Sequence, residues 1–336
     1  MNLANAQHHR LAVAPMMDWT DRHCRVFHRM LAPSAMLYTE MVTADAILHG
    51  DRDRLLCGHH QEAGDAVVLQ LGGADPEALA AAIRLARPYG YMEYNLNVGC
   101  PSDRVKSGRF GACLMAEPAL VAALTAAMID AAEGRPVSVK CRIGIDDMDP
   151  EEGLDRFIET VASSGVRHFI IHARKAWLNG LSPKENRTIP PLDYDRVARL
   201  AKSFPELSFS LNGGITRADA ARDLGEGFAG VMIGRAAYQT PHELALMAAA
   251  IQGDGRADRF AIARAMADYA EMEQEKGTRL IAISRHMLGL MSGLPGARAW
   301  RRTLSEDARE ETADAGVIRE ATDRLEARIH AQQDAA

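Results

Sequence analysis

The sequence predicts an α/β chain, a (β/α)8 TIM barrel followed by a small C-terminal helical bundle. Short apolar runs alternate with amphipathic stretches over roughly 250 residues, the size and rhythm of such a barrel. Several runs, Val67-Val68-Leu69 and Phe169-Ile170-Ile171 among them, are continuously apolar, as parallel strands covered on both faces should be. After Ile251 the strand-like runs stop and only helical patterning remains. A doubly wound sheet is the rival architecture, but it usually needs fewer strands and a single phosphate fingerprint after the first.

Taken in order, the expected strands are Leu11–Met16, Met36–Met41, Ala66–Leu71, Tyr91–Asn97, Val137–Arg142, His168–Ala173, Phe209–Leu211 and Gly230–Gly234. Asp75-Pro76 opens an alanine-rich helix running to Pro88, with proline at the favoured first-turn position. Glu117-Pro118 opens another, reaching Gly134. Asp149-Pro150 opens a third, ending near Gly165, with acids at the positive end of its dipole. Asp195–Phe204 and Thr216–Leu224 read likewise. Gly253-Asp254-Gly255-Arg256 reads as a linker dividing a catalytic domain, 1–251, from a helical domain, 252–336. Helices are expected there at Arg259–Lys276, Arg279–Met291, Ala297–Ser305 and Val317–Gln332.

Composition narrows the function. No apolar run reaches membrane-spanning length, and Met1 to Arg10 is polar, unlike a signal peptide. Cysteines 24, 57, 100, 113 and 141 are odd in number and form no C-x-x-C pair. That argues against a disulfide framework or a zinc site, and for a reducing cytoplasm with no bound metal. The formal charge of −6 does not advertise nucleic acid, so any RNA contact must use local basic clusters.

Chemistry on a TIM barrel sits at the C-terminal strand ends. Those ends read Ala14-Pro15-Met16-Met17, Glu40-Met41, Gln70, Asn95 to Cys100, Lys140 with Arg142, His172, Asn212-Gly213-Gly214 and Gly234-Arg235. The last two follow strands seven and eight, where barrels commonly bind phosphate, so a phosphate-bearing cofactor is implied. The stretch Tyr94 to Ser102 carries the densest signal. Pro101 pushes Cys100 out of helical geometry and Gly99 frees the turn before it, which places the thiol on a stiff bend. Asn97 stands near the last strand position, where its amide can pair with a substrate edge. Plainer readings exist. Gln70 and His172 can cap ordinary strand ends. Cys24, Cys57, Cys113 and Cys141 can fill the core. Lys140 fits either a Schiff-base lysine or a cation set against a reduced flavin.

These residues resemble a known family. Ala14-Pro15-Met16-Met17-Asp18-Trp19-Thr20-Asp21, Asn95 to Ser102, His172 to Trp177, Gly180 to Arg187, Asn212 to Ile215 and Val231 to Arg235 are similar to motifs of the tRNA-dihydrouridine synthases, most closely their A subfamily. The resemblance runs from Leu11 to about Trp300. It implies a barrel holding FMN, reduced by NADPH, that in turn reduces the C5–C6 bond of D-loop uridines in tRNA. It places Pro15, Met16, Met17, Gln70, Lys140 and His172 on the flavin, and Asn212, Gly213, Gly214, Gly234 and Arg235 at its phosphate end. Cys100 becomes the general acid and Asn97 a uracil contact. An unperturbed thiol, with a pKa of about 8.5, is mostly protonated at neutral pH and can donate. A nucleophilic cysteine would want a cation or histidine beside it; Arg104 and Lys106 are near in sequence.

Lys184 and Arg187, with Arg298 and Arg301 in the helical region, are candidate tRNA contacts, against the plain reading of a solvated basic face. A monomer is expected. Three alternatives stay open: an FMN barrel reducing a free small pyrimidine, of dihydroorotate or dihydropyrimidine type; a flavin-free lyase using Lys140; and a non-enzymatic RNA-binding protein.

Overall fold

The computed structural model describes residues 9–57, 66–102 and 108–334. Arg104 and Lys106 lie outside them. The strands are β1 (Leu11–Val13), β2 (Met36–Tyr38), β3 (Val42–Thr43), β4 (Val67–Gly72), β5 (Glu93–Val98), β6 (Val137–Arg142), β7 (His168–His172), β8 (Ser208–Asn212) and β9 (Gly230–Ile233). They pair in the order β2-β1-β9-β8-β7-β6-β5-β4-β3, and β2 also pairs with β4, which closes the sheet. Every pairing is parallel. The two-residue β3 extends the β2 edge along β4, so the closed barrel has eight staves, as the rhythm of the sequence predicts.

Two strands are three residues shorter than expected, for local reasons. The first ends at Val13 because Pro15 has no N–H for the ladder. The Met16 N–H goes instead to the Thr20 hydroxyl, 2.9 Å away, and the Met16 carbonyl accepts from Trp19 and Thr20. The Met36–Met41 run splits into β2 and β3.

The helices begin where acids can cap them. Asp75 Oδ1 accepts from the N–H groups of Glu77 and Ala78, and the helix Pro76–Ala86 follows. Asp149 Oδ1 accepts from Glu151 and Glu152, ahead of the helix Glu152–Ala162. Five helices carried no expectation: Arg22–Leu31, Ala44–His49, Arg52–Leu56, Arg235–Gln239 and Pro241–Gln252. The first buries His23, Arg25 and His28 on its inner face, so its apolar period is hidden. Beyond the barrel run Arg259–Glu275, Leu280–Ser284, Ala297–Ser305 and Gly316–Asp334. The helix expected over Arg279–Met291 keeps only its first turn. Gly289 then presses on the end of the short helix Arg235–Gln239, and a Cβ there would lie 2.4 Å from the Gln239 carbonyl oxygen. The expected linker is tied down as well, since Asp254 accepts from the Ser34 N–H and hydroxyl.

The core has two compartments. Between strands and helices lies a large continuous apolar cluster. Inside the barrel, Ala12, Ala14, Met36, Tyr38, Val68, Ile170 and Met232 form a second apolar cluster, contributed mostly by β1, β2, β4 and β9. The other side of the lumen is polar: Gln70, Glu93, Asn95, Asn97, Ser138, His168, Ser210 and Asn212 are all buried.

Candidate active site

Strand register decides which side chains share the C-terminal rim. Gln70 stands beside Asn95, Asn97 beside Lys140, Arg142 beside His172, and His172 beside Asn212. Because side chains alternate along a strand, Asn95 and Asn97 face the same way, as do Lys140 and Arg142. Gln70, Asn97, Lys140, His172 and Asn212 are therefore gathered at one mouth.

Their bonding fixes them. Lys140 Nζ donates to Asn212 Oδ1 at 3.0 Å, and Asn212 Nδ2 donates to the Met232 carbonyl at 2.7 Å. Lys140 has no carboxylate at ion-pair distance among the described residues. Burial, helped by the Arg142 charge, pushes its pKa down to about 8. Burial and the charges of Arg142 and Lys140 push His172 well below the usual histidine range, so its ring is neutral at pH 7. The His172 Nδ1 is buried without a hydrogen-bond partner. Arg142 is buried too. Its guanidinium donates to the carbonyls of Gly99, Lys175 and Asn186, which ties the cysteine loop to the loop after β7.

The glycine pair after β8 makes a close-approach surface. Gly213 and Gly214 hold φ of 119° and 70°, in territory that side chains rarely adopt. A Cβ on Gly214 would lie 2.5 Å from Leu192 Cδ1. Gly234 leads into the short helix Arg235–Gln239. Arg235 donates to the Arg187 carbonyl at 3.2 Å, so Arg187 stands beside this end of the mouth. Lys184 is exposed just ahead of the turn Glu185–Arg187. Pro15 and Met16 are half-buried where β1 ends, and Met17 is 53% exposed.

Cys100 is held by its backbone. Its N–H donates to Asn97 Oδ1 at 2.9 Å, and its carbonyl accepts from the Ala112 N–H at 2.9 Å. The half-buried thiol lies 3.5 Å from the Ser102 hydroxyl. Of the remaining cysteines, Cys24 and Cys141 are buried fillers, as expected. Cys57 is exposed, because it follows a surface helix, and Cys113 is half-buried with its thiol on the Phe110 carbonyl. Those two correct the expectation that all four fill the core.

Arg298 and Arg301 are exposed on the helix Ala297–Ser305, and among the described residues no hydrogen bond or ion pair of theirs ties them to the barrel mouth. What does reach the mouth from the helical region is Arg285, which donates to the Asp18 carbonyl at 2.7 Å and to Asp21 Oδ2 at 2.5 Å. His286 Nε2 also meets Asp21, at 3.1 Å. Burial pushes the Asp21 carboxyl up, but His286, the Cys24 N–H and Arg285 outweigh it and hold the group ionised. The sequence reading missed this joint, since nothing in a one-dimensional pattern pairs Asp21 with residues 264 and 265 positions later.

At the opposite, N-terminal end of the lumen, His9, Glu93 and His168 bring one potential ligand atom each within 4.8 Å of one another. Both Glu93 oxygens are already engaged, by His9 Nε2 and the Ser138 hydroxyl, whereas Nδ1 of His9 and Nδ1 of His168 are buried without a hydrogen-bond partner among the described residues.

Comparison with known proteins agrees with this architecture. The profile of the Dihydrouridine synthase (Dus) family matches residues 12–327. The tRNA-dihydrouridine(20/20a) synthase of Escherichia coli strain K12 is 55% identical over 315 residues, covering 93% of this chain and 90% of that protein. The protein of the same name from Shewanella oneidensis strain MR-1 is 52% identical over 323 residues, 96% of this chain and 95% of its own. That from Xanthomonas campestris pv. campestris is 50% identical over 317 residues, 94% of both. A match over nearly the whole length, on a closed barrel with a polar mouth and a helical tail, leaves one conclusion: the chain belongs to the dihydrouridine synthase family.

Proposed function

We propose that this chain reduces the C5–C6 double bond of uridines in the D loop of tRNA, at the positions 20 and 20a that its relatives' names carry, using FMN and NADPH. The observation that carries the reading is a mouth lined by a thiol, an amide and unpaired cations on a barrel of this family. The residues fit a flavin. The neutral His172 has a buried, unpartnered ring nitrogen, and Lys140 and Arg235 lack acidic neighbours among the described residues. The positive-φ turn of Gly213 and Gly214, against which Leu192 and Tyr194 pack, would offer its N–H groups to a phosphate. Gln70, Lys140, His172 and the backbone of Pro15, Met16 and Met17 would hold the ring system, with Asn212, Gly213, Gly214, Gly234 and Arg235 at the phosphate.

The chemistry that bound FMN supplies, replenished by NADPH, is hydride delivery to C6 of the uracil. The chain does the rest. Cys100 gives its thiol proton to C5, since hydride addition leaves an enolate-like ring that must be protonated there. Asn97 holds the uracil edge, and Lys140 with Arg142 keeps the mouth electropositive where negative charge develops. A uridine within folded tRNA is stacked, so it has to be drawn out into the mouth while basic residues hold its backbone. Arg187, beside Arg235, and Lys184, exposed just ahead of the same turn, are the residues assigned to that task. Residues 252–336 serve as the tRNA-holding part, with Arg298 and Arg301 on their exposed face.

The test offers NADPH-reduced protein two substrates: tRNA lacking dihydrouridine, and free uracil or uridine. The expected outcome is a gain of two hydrogens per D-loop uridine and none on the free pyrimidine. Reduction of free uracil with tRNA left unchanged would transfer the assignment to a small-pyrimidine reductase.

A further inference from the structure

A single chain of hydrogen bonds runs through the polar side of the lumen, from its closed end to the cysteine loop. The Cys100 N–H donates to Asn97 Oδ1 (2.9 Å), Asn97 Nδ2 to Gln70 Oε1 (2.8 Å), and Gln70 Nε2 to Asn95 Oδ1 (2.8 Å). Asn95 Nδ2 then donates to the Ser138 oxygen (2.8 Å), and the Ser138 hydroxyl donates to Glu93 Oε1. All the side chains in the chain are buried.

The direction of this chain is forced at both ends. A backbone N–H can only donate, and an ionised carboxylate can only accept. Every group between them is reversible: an amide can turn over, and a hydroxyl can rotate. An acceptor for the Ser138 hydrogen turns the hydroxyl's lone pairs toward Asn95, which favours the arrangement with every amide oxygen toward Cys100. Glu93 is that acceptor. Burial pushes its carboxyl up, but the His9 charge and hydrogen bond, with His168 and Ser138, hold it below the usual range, so it stays ionised.

We propose that Glu93, acting through Ser138, is a positioning residue: it fixes the amide orientation of Gln70 and Asn97, and through Asn97 the backbone of Cys100. The inference rests on the functional reading above for its effect on turnover, though not for its structural part. With the chain so directed, Gln70 and Asn97 each have one remaining amide N–H for the mouth. Reversed, each would present an oxygen to the flavin or the uracil, and the Cys100 N–H would lose its acceptor.

The experiment compares Ser138→Ala, which cuts the chain but leaves the His9–Glu93 pair, with Ser138→Thr, which keeps the hydroxyl. Hydrogen exchange of the Cys100 amide, and of the Gly99 amide that donates to the same Asn97 Oδ1 at 3.1 Å, is read in the purified protein without substrate. Ser138→Ala is expected to speed it about fivefold, the loss of one net hydrogen bond, while Ser138→Thr matches the parent. In turnover, Ser138→Ala is expected to lower kcat roughly tenfold through misplacement of reacting groups, with KM for tRNA unchanged. Glu93→Met, which removes the acceptor, is expected to repeat both effects, and Glu93→Gln, which retains an oxygen, to spare them. This pair decides the matter if Ser138→Ala does not fold. Parent-like exchange at Cys100 in folded Ser138→Ala or Glu93→Met overturns the proposal. So does faster exchange spread evenly over all strands with kcat unchanged, the mark of a merely structural role. A parent protein that makes no dihydrouridine would sink the functional reading instead, and the exchange data would still decide the positioning claim.

Discussion

Lys140 stands two residues before the end of its strand with an amide oxygen beside it and no carboxylate at ion-pair distance among the described residues, an expensive place for an ammonium group. Its folded pKa of about 8 lies below the ordinary 10.5 of the unfolded chain. Between those values the unfolded chain binds more protons, so the stability from this group is fully present above about 10.5 and is lost as pH falls through about 8. For flavin-free protein, the melting temperature of the parent minus that of Lys140→Met should rise across this window. A flat difference would mean that the lysine is well solvated. Lys140, Gln70, His172 and Asn212 were legible because a barrel exposes its strand ends. Glu93 and Ser138 were not, because they sit inside the lumen, away from those ends. The signal was present, though: Glu93-Tyr94-Asn95-Leu96-Asn97 alternates polar and apolar, which a strand apolar on both faces would not do.

Among the elements, the helix Ala297–Ser305 stands apart in its charge. Arg298, Arg301 and Arg302 are exposed and have no acid at ion-pair distance among the described residues. On the neighbouring long helices, by contrast, Arg264, Arg319 and Arg324 are each paired with Asp or Glu. Cations left unneutralised by the protein are available to phosphate. Neutralising Arg298 and Arg301 together should weaken tRNA binding and reduce the slope of log affinity against log salt by about 1–2, as loss of that many phosphate contacts requires. An unchanged slope in a binding titration would leave this helix as a solvated face. The helix itself was readable to the residue, since its apolar positions recur at helical spacing. The loss of helix after Ser284 was not readable, because it depends on Gly289 packing against the end of a helix fifty residues earlier.

At the scale of the molecule, the helical region meets the barrel at its open end. Arg285 and His286 grip Asp21 and the Asp18 carbonyl, just beyond the loop that carries Pro15, Met16 and Met17, and Trp19 stacks on Tyr238 at 4.3 Å. A macromolecular substrate lying across that junction could touch mouth and tail together, which a free pyrimidine would not need. The division into strand-rich and helical parts was plain in the sequence. The joint was not, since it is made of charged residues that look like solvated surface until the chain is folded. The most direct test of the whole account is mass spectrometry of dihydrouridine-free tRNA after incubation with FMN, NADPH and either the parent protein or Cys100→Ala. The parent should add two hydrogens to D-loop uridines. The variant should keep its fold and its flavin, yet form product roughly 10²–10⁴-fold more slowly, the usual contribution of a general acid. Equal product from both proteins would remove Cys100 from the mechanism, and no product from the parent would contradict the assignment itself.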